Sequence, residues 1–169
     1  MIRIVIAEDQ ELLLEAMGNL LNLEEDIEVV GQAGNGEEAL TLVHQLQPDV
    51  CILDIEMPKK SGLEVAEELQ LKNCKVIILT TFARPGYYQR ALKANVRGYF
   101  LKDNPSEELA FSIRNIMDGK RIYSNELMDE VSCEENADSP HLKSTQNNKT
   151  GSVKNYLSSI MDKMKLPTG

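Results

Sequence analysis

A doubly wound parallel sheet of the (βα)5 kind, class α/β, is the fold this sequence predicts, and three observations predict it. Five short β-branched apolar runs recur along residues 1–121. Each is followed by a stretch of helical apolar spacing. Polar residues capable of chemistry stand where four of the runs end. Near-continuous apolar runs suit strands buried on both faces. Strand–helix–strand crossovers are right-handed, which builds a parallel sheet with helices on both sides.

The first run is residues 2–6, and behind it Leu12, Leu13, Ala16, Leu20 and Leu23 recur at helical spacing. The second, 27–31, precedes Ala39, Leu42, Val43 and Leu46, and Pro48 stops that helix. Residues 50–53 lead to Leu63, Ala66 and Leu69. Residues 75–79 lead to Tyr88, Ala91 and Leu92. The last run, 98–101, leads to Leu109, Ile113, Ile116 and Met117, and Gly119 closes the helix. Asn104 before Pro105 reads as an N-cap with proline at the first helical position. Gly34-Asn35-Gly36 is a turn signal, too short for a phosphate-binding loop.

The 169 residues are 42% hydrophobic and 27% charged, enough for one sizeable core. A net charge of −9 argues against a surface built throughout to hold nucleic acid or an anionic membrane. The charge is unevenly spread: −7 over residues 1–123, −6 over 124–140 and +4 over 141–169. The chain thus divides into an acidic body, an acidic connector and a short basic tail. No run approaches a membrane span or a secretory leader, so no membrane partner is expected. Cys51, Cys74 and Cys133 are odd in number and scattered, which points to a reducing cytoplasm. His44 and His141 are solitary, with no metal spacing around them.

In doubly wound sheets, ligands sit beyond the carboxyl ends of the strands, at the topological switch point. The first strand ends in Glu8-Asp9, the third in Asp54, the fourth in Thr80 and the fifth in Lys102. An acidic residue after one strand is ordinary loop material. Four strand ends carrying complementary chemistry are a different matter. Clustered carboxylates repel one another and raise each other's pKa. A hard divalent cation relieves that, and an oxygen-rich site with few protein ligands suits Mg²⁺. A carboxylate beside Mg²⁺ and a lysine is equipped to attack a phosphoryl group and form an aspartyl phosphate.

The runs IVIAEDQ, CILDIEMP, ILTTFARPGY and GYFLKD, with Gly62 eight positions past Asp54, resemble the receiver domain of two-component response regulators. The resemblance covers residues 1–121 and implies roles. Asp54 would accept the phosphoryl group. Glu8, Asp9, Asp54 and the backbone carbonyl of Glu56 would hold Mg²⁺. Lys102 and Thr80 would contact the phosphoryl oxygens. Thr80, at the family spacing of 22 residues before the lysine, would be the switch hydroxyl, and Tyr99 the switch aromatic. Asp103 follows the lysine where many receivers place proline, a pattern similar to the NarL/LuxR subfamily. PDVCILDIEMP, TTFARPGYYQRA and the PSEELA…GKRIY stretch are most like a Gram-positive regulator of membrane-lipid desaturation.

That subfamily carries a four-helix DNA-binding unit after a linker. Here 122–148 reads as the acidic and polar linker. Residues 149–166 resemble the recognition helix of the helix-turn-helix unit, with Lys154 and Asn155 placed to meet DNA. The two scaffold helices expected between Leu142 and Lys149 are missing. Val153, Tyr156, Leu157, Ile160, Met161 and Met164 form an apolar stripe without an obvious partner. An isolated helix of this length is marginal in water.

Two functions follow, and a third competes. The first is a transcription regulator phosphorylated by a cytoplasmic sensor histidine kinase, dimerising and binding DNA when phosphorylated. The second is a receiver-only phosphoacceptor or phosphate sink acting through protein partners. The third is a Mg²⁺-dependent phosphohydrolase using the same carboxylates, against which stands the lack of any cap segment to shape a substrate pocket.

Overall fold

The computed structural model describes residues 1–81, 84–102 and 106–124. The chain alternates strand and helix: β1 (Ile2–Ala7), α1 (Glu11–Leu21), β2 (Ile27–Ala33), α2 (Gly36–Leu46), β3 (Val50–Leu53), α3 (Gly62–Leu69), β4 (Lys75–Thr80), α4 (Tyr87–Lys93), β5 (Gly98–Leu101), α5 (Ser106–Met117) and β6 (Ile122–Tyr123). The sheet order is β2-β1-β3-β4-β5-β6, with every pairing parallel. The doubly wound fold is as expected. Its topological switch point lies between β1 and β3, where the chain turns from building one edge of the sheet to building the other.

The strands alternate their side chains between two cores. Ile4 and Ile6 of β1 join Ile52, Ile77 and Phe100 beneath α1 and α5. Val5 and Ala7 join Cys51, Leu53, Ile78 and Tyr99 beneath α2, α3 and α4. All four residues of β3 are buried, which is why that run carries no polar alternation.

Four details depart from the sequence reading. A sixth strand, Ile122–Tyr123, extends the sheet into residues assigned to the linker. The strands β1, β2 and β4 run one or two residues further than their apolar runs, so Thr80 is the last residue of β4. The β1–β2 register shifts between Ile4 and Val5, where β2 carries an extra residue. In α1 the core face is Leu13, Ala16, Met17 and Leu21, whereas Leu12 and Leu23 are 61% exposed.

Local signals explain the helix starts nearest the site. The Asn35 side chain accepts a hydrogen bond from Glu38 N at 3.0 Å, so the turn signal is the N-cap of α2. Ser61 and Glu64 form a reciprocal capping box at the start of α3. Gln47 ends α2 in the left-handed region at φ 47°, and Gly119 follows α5 at φ 94°. The Asn104-Pro105 cap, and Lys154 and Asn155 of the tail, lie outside the described residues. No helix among the described residues is long and apolar enough to cross a membrane.

Candidate functional site

The carboxyl ends of β1, β3, β4 and β5 bring the predicted polar residues to one edge of the sheet. β1 delivers Glu8 and Asp9. The Glu8 N–H donates to Ala33 O of β2 at 3.0 Å, and Asp54 N–H donates to Ala7 O at 3.0 Å. Both acids are thereby fixed by the sheet's own ladder. Glu8 and Asp54 are buried, and Asp9 is exposed. One carboxylate oxygen from each of Glu8, Asp9 and Asp54 lies within 4.8 Å of the others.

Lys102 follows β5 and is 3% exposed. Its backbone N–H donates to Thr80 O at 2.9 Å, which ties the lysine to the end of β4. Its ammonium donates to Glu8 Oε2 at 2.5 Å and lies 3.2 Å from Asp54 Oδ2. The other Glu8 oxygen accepts from Gln10 N–H at 3.1 Å. Two buried carboxylates thus share one ammonium. Burial pushes the Glu8 carboxyl up to about 7, with the Lys102 charge opposing the rise and Asp54 adding to it. Burial likewise holds Asp54 above the usual carboxylate range, against the pull of Lys102. The set is rich in hard oxygen donors and short of positive charge. That chemistry fits a divalent cation of the Mg²⁺ kind.

Asp54 is held from behind by α3. Gly62 N–H donates to Ile55 O at 3.0 Å, and a Cβ at position 62 would lie 2.0 Å from the Asp54 carbonyl oxygen. Only glycine permits this approach. Gly36, the first residue of α2, makes a similar close approach, where a Cβ would lie 2.1 Å from Lys60 O. The loop after β3 is tightly turned, with Lys59 at φ 66° and Lys60 N–H donating to Pro58 O at 2.8 Å.

Thr80 is 2% exposed, and Tyr99 is 1% exposed, with its ring inside the core. In the β4–β5 register Ile78 faces Tyr99 and Thr80 faces Leu101, so Thr80 and Tyr99 are diagonal neighbours on one face. Glu8, Asp9, Asp54 and Lys102 are therefore brought together, Thr80 is joined to Lys102 through the main chain, and Tyr99 lies in the core behind them. Two features escaped the sequence reading. Glu56, exposed after β3, pairs with Arg84 after β4 at 2.7 Å. Tyr88 of α4 packs edge-on against both Tyr99 and Tyr123. Neither has a sequence signal, because each joins distant residues through side-chain reach.

A doubly wound sheet with buried acids and a lysine at its carboxyl edge is the arrangement expected of a receiver domain. The chain belongs to that class: the model of the response regulator receiver domain family matches residues 4–114. The transcriptional regulatory protein DesR of Bacillus subtilis (strain 168) is 54% identical over 182 residues, covering 98% of this chain and 92% of that protein. YvfU, an uncharacterized transcriptional regulatory protein of the same organism, is 51% identical, covering 97% of this chain and 91% of that protein. Among solved structures, a DNA-binding response regulator of the LuxR family from Staphylococcus aureus is 44% identical with a TM-score of 0.67. It covers 69% of this chain and 99% of that chain. The resemblance to two-component regulators of the NarL/LuxR kind is borne out.

Proposed function

We propose that this chain takes a phosphoryl group on Asp54 from a phosphohistidine of a sensor kinase and uses it to control transcription. The observation that carries the reading is the shared ammonium: Lys102 stands between Glu8 and Asp54 in a buried site at the sheet's switch point. An Asp54 oxygen attacks phosphorus, the phosphorus–nitrogen bond breaks, and the kinase imidazole leaves. The residues suited to hold Mg²⁺ are Glu8, Asp9, Asp54 and the Glu56 carbonyl. Once bound, that ion would offset negative charge on the transferred group.

The chain's own residues do the rest. Glu8 keeps the Lys102 ammonium beside Asp54 before transfer. Lys102 then neutralises phosphoryl oxygens where the Asp54 charge stood. Thr80, buried at the end of β4, offers its hydroxyl to the new acceptor oxygens. Its diagonal neighbour Tyr99 responds, and the α4–β5–α5 face changes. The chemistry is a single self-phosphorylation rather than turnover of an external substrate. A phosphorylated homodimer is the expected DNA-binding form, with Lys154 and Asn155 as its contacts.

A second reading has its own observation. The match to DesR spans 182 residues, more than the 169 of this chain, so it skips positions that the relative fills. This agrees with scaffold helices missing from the output unit, and it supports a receiver acting as a phosphate sink or through protein partners. Capture of fragmented genomic duplex by the purified chain, with Mg²⁺ and with or without a small phosphodonor, separates the two. Selective capture that needs the phosphodonor and is lost in Asp54→Ala supports the regulator. Phosphorylation without selective capture supports the receiver-only reading.

A further inference from the structure

Tyr99 is tied to the start of the connector by two routes. The first is main chain. Ile122 N–H donates to Arg97 O and Ser124 N–H donates to Tyr99 O, both at 2.9 Å. The second is a file of three rings. Tyr99 lies edge-on to Tyr88, with centroids 6.5 Å apart and planes at 69°. Tyr88 lies edge-on to Tyr123, at 5.8 Å and 65°. Tyr123 then donates its hydroxyl to Val96 O at 2.5 Å, in the turn that leads into β5. A strand of two residues at a sheet edge has little hold of its own. The rings give it one, because edge-to-face aromatic pairs add attraction beyond their buried area.

We infer that Tyr88 and Tyr123 are positioning residues that make the burial of Tyr99 and the docking of β6 one coupled equilibrium. The inference rests on the reading that loading Asp54 draws Thr80 toward the phosphoryl group and favours the inward, buried position of Tyr99. Whatever stabilises the buried Tyr99 ring keeps Tyr88 seated, and a seated Tyr88 gives Tyr123 its partner. Coupling is reciprocal. Loading Asp54 therefore fastens the first residues of the connector to the receiver, and releasing β6 loosens the switch. Phosphorylation is passed to the connector as a change in where the connector begins.

Hydrogen exchange at the Ile122 and Ser124 amides of the full chain tests this, with and without Mg²⁺ and beryllium trifluoride as the phosphoryl mimic. Fluorine resonance of the bound mimic reports loading separately. In wild type, loading should slow exchange at both amides by about fivefold or more. Tyr88→Ala should load the mimic yet lose that response, and Tyr88→Phe, which keeps the ring, should restore it. Tyr123→Ala provides the same comparison from the edge of the fold, with amides of β1 and β3 as the check on folding. A loaded wild type whose two amides do not slow, or an alanine variant that responds like wild type, overturns the coupling. A wild type that does not load the mimic overturns the phosphoacceptor reading and this inference with it.

Discussion

Lys102 and Glu8 form a buried ion pair, 2.5 Å between Nζ and Oε2, across 94 residues of sequence. The pair joins the ends of β1 and β5, which are not neighbours in the sheet. It leaves Asp54, at the end of the intervening β3, 3.2 Å from the same ammonium. One positive charge is thus shared by two buried acids.

The first consequence is a pH dependence of stability. The Glu8 carboxyl sits at about 7 in the folded chain against 4.5 unfolded, so the folded state holds its proton more tightly. Its contribution is fully present below 4.5 and is lost as pH rises through 7. A shift of this size corresponds to about 3 kcal/mol. In metal-free denaturant titrations, wild type should lose stability relative to Glu8→Gln between pH 4.5 and 7, by up to that amount. Parallel curves for the two proteins would refute it. Mg²⁺ should favour the ionised carboxyl and reverse the trend.

Removing the ammonium should cost more than removing either acid. Lys102→Met removes the charge that holds both carboxyls down, so Glu8 takes up a proton and Asp54 is left buried without its partner, a change on the order of 3–5 kcal/mol. Chemical denaturation at pH 7 without metal would measure it. Added Mg²⁺ should recover some of the loss, because the ion supplies the missing positive charge. A variant as stable as wild type in metal-free buffer would contradict the shared-charge account.

Gly62→Ala should disturb Asp54 from behind. The new methyl would fall 2.0 Å from the Asp54 carbonyl oxygen, so either α3 or the end of β3 must move. A loss of about 3 kcal/mol or more is expected, together with weaker Mg²⁺ binding. Titration calorimetry and urea unfolding on one preparation would show both effects. Stability and affinity that both match wild type would mean that the close approach does not position the acid.

The side chain of Glu56 should be dispensable for metal binding, since its expected ligand is the backbone carbonyl. Glu56→Ala breaks an exposed ion pair with Arg84, worth about 0–1 kcal/mol. Mg²⁺ affinity should stay near that of wild type. Asp9→Asn should lower it by about tenfold or more, because it removes a ligand charge. Equal losses in both variants would put the Glu56 carboxylate among the ligands.

Most of this fold can be read from the chain because the sheet is buried on both faces. Runs such as Val50–Leu53 have no polar residue to blur them, and the ends of four strands are marked by Glu8, Asp54, Thr80 and Lys102. The topology then brings those ends to one edge, so Glu8, Asp9, Asp54, Thr80 and Lys102 emerge together. Other features depend on what periodicity does not carry. Residues 12, 13, 14, 20 and 21 are all leucine, so apolar spacing alone leaves the phase of α1 open, and Leu12 lies outside while Met17 lies inside. The strand Ile122–Tyr123 is too short to show a period. That Lys102 engages Glu8 as well as Asp54, and that Tyr88 joins Tyr99 to Tyr123, are matters of side-chain reach between elements distant in sequence.

The most direct test of the central claim is to locate the phosphoryl group. The purified chain would be incubated with Mg²⁺ and acetyl phosphate, its intact mass recorded, and the acyl phosphate trapped with borohydride before peptide mapping. Gain of one phosphoryl group, trapped at Asp54 and absent from Asp54→Ala, is the result this account predicts. No mass gain, or a modification mapped to another residue while Asp54 stays unmodified, would contradict it.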